Sequence, residues 1–249
     1  MIEIETCQLA EHHLLHAFPT GKISTPLPSI IFYHGFTSSA LVYSYFAVAL
    51  AQAGFRVIMP DAAEHGARFS GNAPLRMTRF WQILQQNMQE FTALRAAILQ
   101  ENWLQDDRLA VAGASMGGMT ALGIMTQHPE VSCVASLMGS GYITRLAKTL
   151  FPPSALDTPA QQATFDSVIA PLAKWDVSQQ LEQVSDRPLL LWHGVEDDVV
   201  PAEESFRLQR ALAQAGRDRN LTCEWQTGVR HRITPEALAA TVSFFRQHL

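Results

Sequence analysis

The sequence predicts an α/β fold: a mostly parallel β-sheet with helices on both faces. Short apolar runs alternate with longer amphipathic runs, which is the pattern of parallel strands joined by helices. Of the 249 residues, 47% are hydrophobic and only 16% are charged, so the chain has enough apolar material for a large core. No internal repeat, low-complexity tract or flexible linker divides it. We therefore expect one domain over residues 1–249.

The elements follow in a regular order. The chain opens with two runs that predict an antiparallel edge hairpin, IEIETCQL and HHLLHAF. Six further strands are predicted at residues 29–35, 55–61, 108–113, 131–139, 188–194 and 221–227. Helical spacing of apolar residues predicts helices at 42–54, 77–103, 115–127, 202–215 and from about residue 235 onward.

One segment, residues 142–187, interrupts this alternation. It contains four prolines and helical fragments, and it is much longer than the dozen or so residues that a crossover between parallel strands requires. We expect it to form a short inserted cap over the strand ends. Its aromatic residues, Trp175 among them, would supply apolar surface facing the sheet.

Composition argues against several classes of partner. Lys and Arg total 18 and Asp and Glu total 23, and the formal charge of -5 gives no electrostatic reason to expect nucleic acid or a membrane surface. The first residues are acidic where a signal peptide is basic. The three cysteines are far apart and predict free thiols in a cytoplasmic protein. We expect no metal and no cofactor, and the oligomeric state stays open.

The most informative stretch is Gly113-Ala114-Ser115-Met116-Gly117, between a predicted strand and a predicted helix. A G-x-S-x-G in this context predicts a sharp strand-to-helix turn that presents the serine hydroxyl at the helix N-terminus. Glycines are required on both sides because a Cβ would clash where the turn brings backbone segments together. Ser115 is therefore the candidate nucleophile.

A serine hydroxyl needs a base, because it is a poor nucleophile at neutral pH. In proteins with this type of turn the partners follow the serine in the order acid, then histidine, so His193, His231 and His248 remain of the nine histidines. His248 is the penultimate residue, and no strand end suited to an acid lies between Ser115 and His193. His231 follows the last predicted strand and is the candidate base.

The acid should lie between these two residues in sequence and at the same edge of the sheet. The stretch HGVEDDVVP meets both conditions and offers Asp197 and Asp198, with Glu196 as a more distant alternative. The aspartate that is not used would cap the helix that starts near Pro201.

Two backbone N–H groups are needed for the oxyanion of an acyl-transfer reaction. Met116 would supply one, since it follows the nucleophile, and Phe36 the other, since it follows the first parallel strand. Gly35 lets the backbone turn towards the serine. His34 is expected to anchor this loop rather than to take part in catalysis.

Together, the stretches YHGF, GASMG, HGVEDDVVP and GVRH resemble the α/β-hydrolase superfamily, in family order from about residue 25 onward. With MPDAAEHGAR after the second parallel strand, the chain is similar to small bacterial carboxylesterases of the YjfP type. The family's HG-x-x-D spacing favours Asp197 as the acid. The resemblance also implies that Asp61 and His65 brace the loop beneath the active site, although the usual three-glycine oxyanion loop is absent.

The expected function is that of a serine carboxylesterase that hydrolyses small, short-chain acyl esters through an acyl-enzyme intermediate. The small ester substrate is implied by the family resemblance, and Phe36, Met116 and Trp175 would form an apolar substrate site under the cap. A thioesterase or a small acyl-peptidase with the same triad is the alternative. A non-catalytic binding protein of the same fold is a third.

Overall fold

The computed structural model describes all residues, 1–249, and contains eight strands and eight α-helices. The strands are β1 (Ile2–Leu9), β2 (His12–Pro19), β3 (Leu27–Tyr33), β4 (Arg56–Pro60), β5 (Leu104–Ala114), β6 (Cys133–Leu137), β7 (Leu189–Gly194) and β8 (Leu221–Gln226). The helices are α1 (Ser44–Gln52), α2 (Ala73–Thr78), α3 (Phe80–Gln100), α4 (Met116–Gln127), α5 (Ile143–Leu146), α6 (Pro159–Ile169), α7 (Glu203–Gln214) and α8 (Pro235–His248).

All eight strands form one sheet in the order β1-β2-β4-β3-β5-β6-β7-β8. β1 is antiparallel to β2, and β2 is antiparallel to β4. From β4 to β8 every neighbouring pair is parallel. The predicted mostly parallel sheet with an N-terminal hairpin is therefore confirmed. The loops after β3, β5, β7 and β8 all leave the same edge of the sheet, where α/β folds place their ligands.

Apolar layers cover both faces of the sheet. Neighbouring residues of β3 show the alternation expected of a strand: Ile30 packs in the layer that contains Phe46 of α1, and Ile31 packs in the layer that contains Phe91 of α3. α4 lies between the sheet and further helices, and only Gln127, its last residue, is exposed to solvent. The residue that precedes α4 is therefore held on a rigid element.

Most boundaries lie within two residues of the sequence-based expectation, and two elements, α3 and β5, differ by more. The predicted helix at 77–103 contains the end of α2 and all of α3. The two helices are separate because Arg79 leaves helical geometry with φ −113° and ψ 17°. Asn72 caps the first of them by accepting a hydrogen bond from the Leu75 N–H at 3.0 Å. β5 begins at Leu104 rather than at Arg108.

The chain between β6 and β7 contains α5, α6 and two short 3-10 helices, Ala170–Trp175 and Val177–Gln179. Thr158 caps α6 in a capping box with Gln161. That this segment acts as a cap over the catalytic edge stays a prediction. None of the helices combines the length and the apolar character that crossing a membrane requires.

Candidate active site

Ser115 lies at the turn between β5 and α4 with φ +57° and ψ −116°. Residues other than glycine rarely adopt a positive φ, and such backbone strain is typical of functional sites. The turn is fixed on both sides: the Ser115 N–H donates to the Leu137 carbonyl at 2.8 Å, and the Ser115 carbonyl accepts from the Met119 N–H at 3.0 Å. The hydroxyl is therefore presented in one place at the start of α4.

The two flanking glycines are required by close backbone contacts. A Cβ on Gly117 would lie 1.9 Å from the Tyr33 carbonyl oxygen, and a Cβ on Gly113 would lie 2.3 Å from the Gly117 oxygen. Distances this short exclude any side chain. The G-x-S-x-G pattern thus allows β5, the start of α4 and the end of β3 to meet beside Ser115.

Three sequence-predicted residues form a continuous hydrogen-bond chain. The Oγ atom of Ser115 lies 2.9 Å from Nε2 of His231, and Nδ1 of His231 lies 2.7 Å from Oδ2 of Asp197. This geometry requires the tautomer with the proton on Nδ1, which leaves Nε2 free to accept the serine proton. Ser115 and Asp197 are buried, and His231 is partly accessible.

Asp197 accepts four hydrogen bonds. Its Oδ1 atom accepts the backbone N–H groups of Val199 and Val200, both at 2.9 Å. Its Oδ2 atom accepts from His231 and from Nε2 of His193, the latter at 3.1 Å. Burial opposes ionisation of Asp197, but the hydrogen bonds from His193, His231 and Val199 outweigh burial and hold its pKa well below the ordinary range.

His193 is a functional neighbour that sequence reasoning considered only as a base and set aside. It is fully buried, and its Nε2–H is shared between Asp197 and the Val200 carbonyl oxygen at 2.9 Å. Nδ1 then accepts from the Ser205 hydroxyl at 2.7 Å. The available signal was a histidine near the end of β7, four residues before Asp197, because the turn after the strand folds Asp197 back towards it.

The acid turn and the histidine loop are tied directly to each other. A Cβ on Gly194 would lie 2.4 Å from the Val229 carbonyl oxygen, so the HG glycine permits close backbone contact between the two loops. The Glu196 carboxylate accepts the N–H groups of Gly228 and Val229 at 2.6 and 3.1 Å. Glu196 is therefore a brace for the loop that carries His231, not the acid.

Asp198 does not have the capping role expected of it. Its carboxylate forms an ion pair with Arg230 at the surface, so it adds a second link between the acid turn and the histidine loop. α7 begins at Glu203, and its N-cap residue Ala202 has no side-chain acceptor. The helix starts too far beyond Asp198 for that side chain to reach its N–H groups.

The loop after β3 is anchored by two buried histidines. The Ala62 N–H donates to Nε2 of His34 at 3.1 Å, and the Thr37 N–H donates to Nε2 of His65 at 2.9 Å. Burial lowers the pKa of His34, and it lowers the pKa of His65 to about 4, so both rings are neutral acceptors. Asp61 accepts the N–H groups of Ala40 and Ala67, both at 2.9 Å.

Phe36 lies within this anchored loop, and the loop reaches the nucleophile. A Cβ on the preceding Gly35 would lie 3.6 Å from the Cβ of Ser115. The loop after β3 and the start of α4 therefore meet at the serine, as the predicted pair of oxyanion donors requires.

A cavity of about 300 Å³ opens onto Ser115 and His231. Three phenylalanines form one side, with ring centroids 5.0 Å apart for Phe36 and Phe80, 5.1 Å for Phe80 and Phe151, and 5.4 Å for Phe36 and Phe151. We call these three side chains the phenylalanine triangle. The other lining residues are Thr37, Met77, Leu150, Val199 and Val200. Larger surface cavities of about 400 and 480 Å³ lie elsewhere and contain neither Ser115 nor His231.

Two expected substrate contacts do not line this cavity with their side chains. Met116 is fully buried in the core and is not among the lining residues. Trp175 packs against Gly123 in α4 and lies 6.2 Å from the His128 ring. The 3-10 helix that carries Trp175 packs along the later turns of α4, away from Ser115, so we do not retain Trp175 as a substrate contact.

One cluster outside the site has metal-ligand chemistry. Donor atoms of Glu5, Cys7 and His16 lie within 4.8 Å of one another on the edge hairpin. Nδ1 of His16 is hydrogen-bonded to Glu5, and Nε2 faces the Arg56 guanidinium. The Arg56 guanidinium donates to this ring nitrogen, and its positive charge would repel a metal cation. We therefore assign no metal to the cluster.

Comparison with known proteins agrees with this architecture. Residues 41–249 match the prolyl oligopeptidase family. The chain is 69% identical over 249 residues to Esterase YjfP of Escherichia coli (strain K12), with all of both chains covered.

The fold is similar to that of TT1662 from Thermus thermophilus, with a TM-score of 0.77, 20% identity, and 99% and 98% of the two chains covered. It is also similar to Pyrococcus horikoshii acylaminoacyl peptidase, with a TM-score of 0.73 and 17% identity; the match covers all of this chain but 42% of the peptidase. At sequence identities of 20% and 17%, these similarities support a shared fold and no shared activity. From the family match, the full-length relative and the topology, the chain belongs to the prolyl oligopeptidase family and has the α/β-hydrolase fold.

Proposed function

We propose that this protein is a serine carboxylesterase that hydrolyses short-chain acyl esters, with Ser115 as nucleophile, His231 as base and Asp197 as acid. The observation that carries the proposal is the chain of hydrogen bonds from Ser115 Oγ through His231 to Asp197, at 2.9 and 2.7 Å. These distances are those expected of a nucleophile, its base and the group that orients the base.

The reaction follows from that arrangement. Ser115 Oγ attacks the ester carbonyl carbon while its proton passes to Nε2 of His231. Asp197, which stays ionised, stabilises the resulting imidazolium. When the tetrahedral intermediate collapses, the C–O bond to the alcohol breaks and His231 donates the proton to the leaving oxygen. Water then attacks the acyl-enzyme with His231 again as base, and the acid product leaves.

The oxyanion of each tetrahedral intermediate is assigned to the backbone N–H groups of Met116 and Phe36. Met116 is the first residue of α4, whose free N–H groups and dipole favour negative charge. Phe36 lies in the loop that His34 and His65 anchor. Donors that are fixed before the reaction lower its barrier without further reorganisation.

The cavity supports a small, uncharged acyl group. Its volume of about 300 Å³ is at the lower end of the range for ligand sites, about 300–1,000 Å³. Carbon-rich side chains dominate its walls, and no charged carboxylate, lysine or arginine lines it. Leu150 and Phe151 come from the 142–187 segment, in agreement with a cap that helps to form the substrate site.

We also infer a cytoplasmic location. Cys7, Cys133 and Cys223 are all free thiols in the structure. Free cysteines are usual in a reducing compartment, and fractionation of the producing cell would test the inference.

Hydrolysis of a thioester or of a small acyl-peptide is the second candidate, because the same triad serves all three bonds. The family description and the similarity to an acylaminoacyl peptidase favour the peptide. We prefer the ester, because the relative with 69% identity is named an esterase and the match covers its full length. The match to the peptidase covers only 42% of the peptidase chain.

The test compares the wild type with Ser115→Ala. We expect the wild type to hydrolyse p-nitrophenyl acetate and to be labelled by a fluorophosphonate probe, and we expect the folded variant to do neither. Comparing kcat/KM for an ester, a thioester and an anilide with the same acyl group ranks esterase, thioesterase and peptidase activity. Labelling that persists in Ser115→Ala would contradict the assignment of the nucleophile, and a wild type without any hydrolysis would contradict the proposed function.

A further inference from the structure

The turn at Leu150 and Phe151 forms part of the cavity wall but has little backbone support of its own. Phe151 has φ +44°, a region that a bulky side chain rarely adopts. Pro152 and Pro153 follow and have no N–H to donate. No backbone N–H donates to the carbonyl of Leu150 or of Phe151. The Leu150 N–H donates to the Leu146 carbonyl oxygen at 2.9 Å, but the carbonyl groups of Leu150 and Phe151 need a donor from outside the turn.

Trp81 provides that contact. Its indole N–H lies 3.1 Å from the Leu150 carbonyl oxygen and 3.0 Å from the Phe151 carbonyl oxygen, and it is the donor to both. The Trp81 side chain is buried at 1% exposure, whereas Leu150 and Phe151 are half-buried, so the bonds join a core side chain to the cavity wall. A buried tryptophan N–H usually has a hydrogen-bond partner, and these two carbonyl oxygens are the partners of Trp81.

Trp81 is also next to Phe80 at the start of α3, and the two rings are in edge contact at 4.9 Å. Phe80 faces the cavity, whereas Trp81 does not line it. The first turn of α3 thus supplies one side of the phenylalanine triangle directly and positions another, Phe151, through the Trp81 N–H.

We propose that Trp81 is a positioning residue that limits the length of the acyl chain. The inference rests on the proposed esterase function of the same cavity. The Trp81 N–H keeps the Leu150–Phe151 turn inward, and Phe151 contacts the rings of Phe36 and Phe80. When the turn is released, Phe151 moves away from the other two rings and the cavity lengthens.

The experiment measures kcat/KM for p-nitrophenyl acetate, butyrate, hexanoate and octanoate. Trp81→Phe removes the N–H and keeps an aromatic ring. One net hydrogen bond changes an equilibrium by a factor of roughly 2 to 12, so we expect the octanoate-to-acetate ratio to rise about fivefold. The ratio cancels any difference in the folded fraction.

Trp103→Phe is the matched control. Trp103 stacks on His16 and lies just before β5, at the opposite end of that strand from Ser115. Its substitution also removes an indole N–H, but we expect it to leave the ratio at the wild-type value.

Phe151→Ala keeps the inference testable if Trp81→Phe folds poorly. This variant opens the same wall directly and should raise the ratio in the same direction. Because Trp81 is inferred to act through Phe151, the double variant should show no more than the larger single effect, rather than the product of both.

An unchanged chain-length ratio in folded Trp81→Phe, or fully multiplicative effects in the double variant, would overturn the role of Trp81 while leaving the esterase function intact. If the wild type hydrolyses none of the four esters, the proposed function fails, and the inference fails with it.

Discussion

Replacing Asp197 with asparagine tests the acid through hydrogen-bond chemistry, because the two side chains have nearly the same shape. Oδ1 of Asp197 accepts the N–H groups of Val199 and Val200, and Oδ2 accepts from His193 and His231. An asparagine has one acceptor oxygen and one amide nitrogen that only donates. The backbone donors cannot reverse, so the oxygen must face them and the amide nitrogen must face the two imidazoles.

His231 is the ring that has to adapt. Facing an amide donor, Nδ1 of His231 must become an acceptor, which moves the proton to Nε2 and directs an N–H at Ser115. His193 cannot relieve the conflict, because its Nε2–H also donates to the Val200 carbonyl. In chymotrypsin-like proteases the equivalent change lowers kcat about 10⁴-fold through the wrong tautomer. We expect a loss of about 10³ to 10⁴ in kcat for Asp197→Asn.

KM separates this explanation from a damaged substrate site. Asp197 does not line the cavity, so KM for p-nitrophenyl acetate should change little. Asp198→Asn is the matched control on the adjacent residue: its ion pair with Arg230 joins two exposed side chains, and exposed pairs contribute little. A large loss in Asp198→Asn, with activity retained in Asp197→Asn, would refute the acid assignment.

Three further predictions follow from the same contacts. Asp197 should add no ionisation to the kcat/KM profile near the ordinary aspartate pKa of about 3.9, because its hydrogen bonds hold its pKa well below that range; an ionisation near that pH that disappears in Asp197→Asn would contradict this. Gly194→Ala places a Cβ 2.4 Å from the Val229 carbonyl oxygen, so ester hydrolysis should fall about a hundredfold or more, and wild-type activity would contradict the close contact. Burial lowers the pKa of His65 to about 4, so the unfolded chain binds the proton first and thermal stability should decline as pH falls from about 6.5 towards 4; His65→Gln should decline less, and an identical slope would exclude this contribution.

The fold, and the positions of the three candidate residues at one edge of the sheet, were predictable because their determinants are local in sequence. Apolar runs predict strands, and each chemical group comes within a few residues of a strand end. The G-x-S-x-G stretch predicts both the turn and its contacts, since Gly113 and Gly117 meet the backbone at distances that exclude a side chain. Topology then places Ser115 and His231 at the same edge of the sheet, and the loop after β8 brings His231 to within 2.9 Å of Ser115.

The rest of the site depends on contacts between distant segments, which no single stretch reveals. Trp175 has the apolar character expected of a substrate contact, yet it packs on the later part of α4 beside Gly123. The roles of Glu196 and Asp198 depend on where the loop after β8 passes the acid turn. The role proposed for Trp81 depends on two carbonyl groups about 70 residues away.

The position of β8 has a consequence for how the protein loses activity. Ser115 follows β5, inside the sheet, whereas His231 follows β8, which is the outermost strand and pairs only with β7. Local opening begins at such poorly covered margins and costs less free energy than global unfolding. Detachment of β8 and its loop would separate base from nucleophile while the central strands stay folded. Activity would then be lost at a lower cost in free energy than global unfolding, and the Glu196 contacts to Gly228 and Val229 oppose this opening because they tie the loop to the turn after β7.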